Sequence, residues 1–276
     1  MNKPVFSFEF FPPQTPAGVI KLVATREQLA PLKPEFFSVT FGAGGSTQDR
    51  TLEAVRQIKT EGYTAAPHLS CVGSTRENIA AILNTYKSLG INRIVALRGD
   101  LPSGMGSIGE FQYANELVSF IRGETGDHFH IEVATYPEFH PQAKSARDDI
   151  LNFKRKVDAG ANSAITQYFY NADAYFRFVD DCHKLGITIP IVPGIMPIVK
   201  YSQLARFSDM CGAEIPRWMR KNLEGFGDDS EAVQSFGLEV VSRLCEKLLA
   251  GGAPGLHFYT LNQSAPALAI WKKLGL

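Results

Sequence analysis

The chain is poor in several things at once. It has only four cysteines, Cys71, Cys182, Cys211 and Cys245, far apart and in no CxxC pair. That spacing argues against a disulfide framework or a zinc site and suits reduced thiols in a cytoplasm. It has no apolar run near the roughly 18 residues needed to cross a bilayer, so no membrane partner is expected. It has no net charge, with 28 Lys+Arg against 28 Asp+Glu, and no basic run that would suit nucleic acid. The opening MNKPVFSFEFFPPQ has neither a long apolar core nor a small-residue cleavage site, so a signal peptide is not expected.

What is present is ordinary globular material, 45% hydrophobic and 20% charged over 276 residues. Short β-rich runs alternate with helical patterns. Strands are predicted at 5–11 (VFSFEFF), 36–41, 64–70, 92–97, 130–136, 163–169, 188–194 (TIPIVPG) and 256–261. Helices are predicted from the Thr15-Pro16 start to about 32, then at 47–59, about 74–90, 110–122, 142–159, 171–185, 201–210 and 265–274. Ser74 to Glu77 reads as a capping box. Eight β-then-α units in a chain near the roughly 250 residues of such folds predict an α/β (β/α)8 TIM barrel. Residues 214–250 add extra helices between strands seven and eight. No linker breaks the chain, so 1–276 is expected to be a single catalytic domain, with a doubly wound open sheet as the competing architecture.

The first strand raises a question of its own. FSFEFFPP places Glu9 among four phenylalanines, where ionising a carboxylate is costly. Alternation puts Phe6, Phe8 and Phe10 toward the helices and Ser7 and Glu9 into the barrel mouth; a frayed strand with Glu9 in solvent is the bland alternative. The same parity turns Ser38, Thr40, His68 and Ser70 inward. Strand six delivers Gln167, and strand four runs out into Arg98-Gly99-Asp100. Polar side chains thus meet at the C-terminal rim, where barrels keep their active sites. Taken singly, His68 could be a hydrogen-bonded core histidine, and Arg98 with Asp100 a local ion pair.

Two tempting motifs are weak. FGAGGST at 41–47 follows a strand but lacks GxGxxG spacing, and reads more safely as a loop that lets a ligand approach the backbone. His128 and His130 share a strand face without a third ligand, so no metal is expected. The helix after strand five says more. Asp149, Asn152 and Lys156 share one face with Arg155 beside them, and Ile150, Phe153 and Val157 form its apolar stripe. Tyr136 and His140 directly precede it. An aromatic, an imidazole, an amide and two cations near one rim suit a phosphorylated cofactor, although a solvated helix face would look the same.

Nine motifs in order carry a resemblance: FEFFPP, SVTFGAGGSTQDRT, APHLSC, ALRGDLP, YPEFHP, the LLNFKRKVDAGA pattern (here beginning with Ile150), ITQYFY, PGIMP and HFYTLN. Together they resemble methylenetetrahydrofolate reductase, a flavoprotein barrel of one-carbon metabolism, from about residue 5 to the end. The resemblance implies that NADH or NADPH reduces bound FAD and leaves, and that methylenetetrahydrofolate then occupies the same pocket and becomes 5-methyltetrahydrofolate, for methionine synthesis. It implies a cytoplasmic homo-oligomer.

It also implies roles. Glu9 matches the general acid that helps the folate ring open to an iminium ion, and Asp100 a negative charge that stabilises that cation. Phe41, Ala43, His68, Arg98, Gly99 and Asp100 match cofactor-binding positions. So do Tyr113, Ala114, Tyr136, His140 and Ala143, and Asp149, Asn152, Arg155 and Lys156 on the helix. Thr40 and Gln167 match nicotinamide contacts; Gln167, Gln203 and Phe207 match folate contacts; Tyr259, Leu261 and Gln263 belong to the strand-eight end of the same pocket. Gln263 stands where an arginine is expected, which bears on substrate affinity, and Phe41 where tyrosine is common. The regulatory domain of the larger eukaryotic enzymes is absent from the sequence, so feedback by S-adenosylmethionine is not expected. Desolvation beside apolar groups should raise the Glu9 pKa toward neutrality. A lysine Schiff-base aldolase using Lys156 and a flavin-binding subunit without activity are the alternatives.

Overall fold

The computed structural model describes residues 3–41, 45–100 and 109–276. Ala43 and the heart of the glycine-rich loop therefore lie outside the described residues.

The alternating phenylalanines of β1 (Val5–Phe10) divide the first strand as expected. Phe6, Phe8 and Phe10 are buried against helices in the main core. Around β1 run β2 (Phe36–Val39), β3 (Ala65–Ser70), β4 (Arg93–Leu97), β5 (His130–Thr135) and β6 (Ser163–Thr166). Then come β7 (Ile191–Val192), β8 (Gly194–Ile195) and β9 (Gly255–Tyr259). All pair in parallel, in the order β7-β6-β5-β4-β3-β2-β1-β9-β8.

The predicted seventh strand is thus two pieces. Pro193 lacks an N–H and cannot donate to a ladder. Before it, β7 pairs with β6; after it, β8 pairs with β9, so one short segment joins the two edges of the sheet and the barrel is nearly closed. Gly194 is required at that seam. A Cβ there would stand 2.2 Å from the Thr166 carbonyl oxygen and 2.6 Å from the Tyr259 ring.

The helices are α1 (Pro16–Leu29, followed by a 3-10 turn at Ala30–Leu32), α2 (Gly45–Thr60), α3 (Arg76–Ser88), α4 (Ala114–Thr125) and α5 (Ala146–Asp158). They continue with α6 (Ala172–Lys184), α7 (Tyr201–Cys211), α8 (Arg217–Phe226), α9 (Ser230–Ala250) and α10 (Ala265–Lys273). The predicted extra helices between the last strands are α8 and α9. Two starts differ from expectation. Thr75, not Ser74, caps α3, its hydroxyl accepting the Asn78 N–H at 3.2 Å. Helix α4 begins at Ala114 rather than Glu110, because the Glu110 carboxylate accepts the Arg76 N–H at 2.7 Å and so serves the start of α3.

Inside the barrel, Phe36, Ala66, Val95 and Ile165 from four strands form a small apolar layer. Beneath it, toward the N-terminal ends of the strands, lies an ion cluster centred on the buried Glu132 and open to solvent at Glu35 and His130. Arg93 pairs with Glu132 at 2.5 Å and also with Glu35. Glu132 accepts from the Ser163 hydroxyl at 2.5 Å, which lies 2.6 Å from His130 Nε2. Burial would raise the Glu132 carboxyl, but contacts with His130, Arg93 and Ser163 hold it below its ordinary value. The Arg93 guanidinium lies over the Phe36 ring, 4.6 Å from its centroid.

Candidate active site

The C-terminal ends of the strands open into a cavity of about 790 Å³. Glu9, Thr40, His68, Ser70 and Leu97 reach it from β1 to β4 and the residues just after them. Ala134, Ile165 and Tyr259 come from β5, β6 and β9, with Tyr136 and Gln167 following two of those strands and Leu261 the third. Phe41 lines the same space, and α7 adds a wall of Phe207, Met210 and Cys211. A narrower arm of about 290 Å³ leads away from it. Arg98, Tyr113, Ala114 and Ala143 line that arm, as do Asp149, Asn152 and Lys156 on α5. Gly99, Asp100, Tyr136, His140 and Gln142 line both spaces.

Three residues predicted for the site are not in these walls. Gln203 is half-buried on α7, and Arg155 turns its guanidinium to the Asn152 side-chain oxygen at 2.5 Å. Gln263 sits in the turn after β9, its N–H donating to the Thr260 carbonyl at 2.9 Å.

Glu9 is the centre of the geometry. Its Oε2 lies 3.3 Å from His68 Nε2, without the alignment of a hydrogen bond, and 3.5 Å from His257 Nε2. The other nitrogen of His257 lies 2.7 Å from the Ser7 hydroxyl. Ser7, His257 and Glu9 follow from strand register, since Ser7 pairs with His257 and Glu9 with Tyr259. The expected rise in the Glu9 pKa is corrected here. Burial does push the carboxyl up, but the charge of His68 and the contacts of both imidazoles outweigh it and hold the group down at about 2. The sequence reading missed His257, although the parity that turned Glu9 inward also turns His257 and Tyr259 inward.

The neighbouring side chains are braced. The Tyr136 hydroxyl meets Gln167, and burial pushes it up to about 12. Its ring packs edge-on against His140 at 4.6 Å. The Asp149 carboxylate accepts the His140 N–H at 2.8 Å, so Asp149 orders the loop as well as lining the arm. Arg98 Nη2 donates to Gln142 Oε1 at 2.6 Å. Gly99 has φ +84, and a Cβ there would stand 2.9 Å from Ser70 Cβ. Lys156 reaches through the arm to the Ala134 carbonyl at 2.5 Å; burial lowers its pKa to about 8, with Asp149 opposing. Among the described residues no cluster of His, Cys, Asp and Glu could hold a metal ion, and no helix is long and apolar enough to cross a membrane.

Such a site offers a carboxylate flanked by two imidazoles at the floor of a wide apolar-walled cavity. Beside it runs a narrow arm carrying two cations, an amide and the start of a helix. The arm suits a phosphorylated group and the cavity a flat ring system. Comparison with known proteins places the chain as a whole in a family. The family model for methylenetetrahydrofolate reductase matches residues 1–275. The chain is 44% identical over 271 residues to the 5,10-methylenetetrahydrofolate reductase of Escherichia coli (strain K12), covering 98% of the chain and 90% of that protein. It is 42% identical to the probable methylenetetrahydrofolate reductase (NADH) of Oryza sativa subsp. japonica, spanning 49% of that longer protein. Among solved structures, a Clostridium thermocellum protein described as binding two copies of 5-methyl-5,6,7,8-tetrahydrofolic acid has the same fold. Its TM-score is 0.69 at 17% identity, over 99% of this chain and 96% of that one.

Proposed function

The chain belongs to the methylenetetrahydrofolate reductase family, and from that premise we propose that it reduces 5,10-methylenetetrahydrofolate to 5-methyltetrahydrofolate with NADH or NADPH, using bound FAD. The carrying observation is the confluence of the two spaces at Asp100, Tyr136 and His140, one wide enough for a ring and one lined for phosphates. The fit to FAD rests on Arg98 and Lys156 as cations for the phosphates and Asn152 as an amide partner. Gly99 contributes a backbone with no room for a side chain. Bound FAD supplies the two-electron transfer that no side chain here can perform.

The protein's own residues then bind, orient and move a proton. Thr40 and Gln167 stand where each substrate in turn would lie, and the Tyr136 contact fixes the Gln167 carboxamide. Phe207, Leu261 and Tyr259 wall off water. Ring opening of the folate needs a proton on a nitrogen, and Glu9 is the group positioned to pass it. Glu9 Oε2 stands 3.3 and 3.5 Å from the Nε2 atoms of His68 and His257, so the three side chains form one unit through which that proton would pass. Asp100 holds a negative charge at the junction, which stabilises the iminium cation of the opened folate. Because one cavity serves both substrates, ping-pong kinetics follow. The product supplies a methyl donor for methionine synthesis, and cytoplasmic location and homo-oligomeric assembly complete the reading. Lys156 is carried by α5 rather than by a strand, and its Nζ is held on the Ala134 carbonyl at 2.5 Å, which disfavours a Schiff-base aldolase.

The test is direct. The purified protein, loaded with FAD, should bleach anaerobically with NADH or NADPH and regain its yellow colour on adding methylenetetrahydrofolate. A protein that takes up FAD and bleaches but is not reoxidised by the folate would be a flavin binder without this activity. One that cannot be loaded would sink both.

A further inference from the structure

Regular pairing of β9 with β1 ends at Tyr259, opposite Glu9. The next three residues continue it by other means. The Thr260 hydroxyl donates to the Glu9 carbonyl at 2.6 Å, alongside the Thr260 N–H at 3.3 Å. Asn262 then turns its carboxamide onto Phe11, where Oδ1 accepts the Phe11 N–H at 3.0 Å and Nδ2 donates to the Phe11 carbonyl at 2.9 Å. The Asn262 N–H returns to the Thr260 hydroxyl at 3.1 Å. From the other side of β1, the Thr40 N–H donates to the Phe10 carbonyl at 2.8 Å.

This turn requires two successive residues in the left-handed region, Leu261 at φ 51 and Asn262 at φ 56. Asparagine accepts that conformation, whereas leucine adopts it against its own Cβ. The other non-glycine with positive φ among the described residues, Lys33, lies in an exposed turn. Steric strain at a buried turn touching the site is the kind that persists where function needs it.

We propose that the Thr260–Leu261–Asn262 turn is the positioning device for Glu9. It fixes the backbone on both sides of Phe10, so that the Glu9 carboxylate stays against His68 and His257. Thr260 and Asn262 are positioning residues that act through Glu9. The inference rests on the reading of Glu9 as the proton relay of the folate half-reaction.

Asn262→Gly tests it, because glycine accepts φ 56 while the carboxamide is removed together with its Cβ. In the protein without substrate, the Phe11 amide should exchange with solvent about tenfold faster or more, having lost its acceptor. In the loaded enzyme, reduction by the nicotinamide should stay within about twofold and folate reduction should slow about tenfold or more. Added to Glu9→Gln, the same change should cost nothing further, since the group it positions is already gone. Thr260→Val removes instead the hydroxyl donor to the Glu9 carbonyl; it should slow folate reduction to a similar extent and stands in should Asn262→Gly fail to fold. Equal slowing of both half-reactions, or a full multiplicative loss on top of Glu9→Gln, would overturn the proposal and leave the turn structural. Failure of the unsubstituted protein to reduce the folate would instead overturn the reading of the site, and the inference with it.

Discussion

Glu9 on β1 and His68 on β3 meet across the intervening β2, with Oε2 and Nε2 3.3 Å apart. The contact ties the acid–base chemistry of the site to the barrel's own strand register, and its consequences are measurable.

Glu9→Gln keeps the shape and removes the proposed proton relay. FAD binding and reduction by the nicotinamide should persist, while folate reduction should fall by roughly 10²–10⁴-fold, the usual weight of a general acid. Stopped-flow measurement of the two half-reactions separates the cases; equal loss in both would make Glu9 structural.

The pairing also has a pH signature. The Glu9 carboxyl drops from an ordinary 4.5 to about 2 on folding. Between those values the unfolded chain binds the extra proton, so stability rises with pH there. The contribution is complete above the ordinary value and is lost as pH falls through the folded one. Urea midpoints for the unsubstituted protein and Glu9→Gln should therefore differ most at pH 5 and converge toward pH 2. A constant offset would remove the ion pair from the account.

Asp100→Asn removes a charge at the junction of the two spaces while keeping the side-chain shape. The proposed role calls for folate reduction slowed roughly 10–10²-fold with FAD affinity little changed. An unaltered folate rate, measured with enzyme already reduced, would exclude electrostatic stabilisation by this residue.

Lys156→Met keeps the length of the side chain in the narrow arm and deletes its ammonium. FAD affinity should weaken about tenfold or more, as for loss of a charge-assisted phosphate contact. Flavin fluorescence titration reads this directly, and unchanged affinity would remove Lys156 from the cofactor site.

Gly194→Ala drives a methyl into the Thr166 carbonyl oxygen and the Tyr259 ring at the barrel seam. A loss of about 3 kcal/mol is expected, which lowers Tm by roughly 6–12 °C in a domain of this size. Calorimetry checks it; a shift below a few degrees would mean the seam yields freely.

Much of this was legible in the chain. The alternation of Phe6, Phe8 and Phe10 against Ser7 and Glu9 settled which side of β1 meets the helices, because a half-buried strand leaves no other parity. The failures have a common cause in contacts between residues distant in sequence. The Glu9 carboxyl is held down first by His68 and then by His257, 248 residues away; parity turns these side chains inward, but nothing local says that they meet. The start of α4 was displaced because Glu110, a good helix former, is occupied at α3. TIPIVPG looks like one strand, but its proline forces a change of partner. Gln203 and Gln263 were placed at the site by resemblance and Arg155 also by its position beside Lys156 on α5; none of the three is among the residues that line the two spaces.

His257 is fully buried, its Nδ1 meets Ser7, and its ring stacks on Phe36 with Arg93 behind. Its Nε2 lies 3.5 Å from Glu9 Oε2, and Glu9 keeps part of its side chain at the cavity. A substitution that shortens Glu9, such as Glu9→Ala, would therefore strip a buried ring nitrogen of this neighbour, and its cost would fall on the stability of the barrel as well as on any rate.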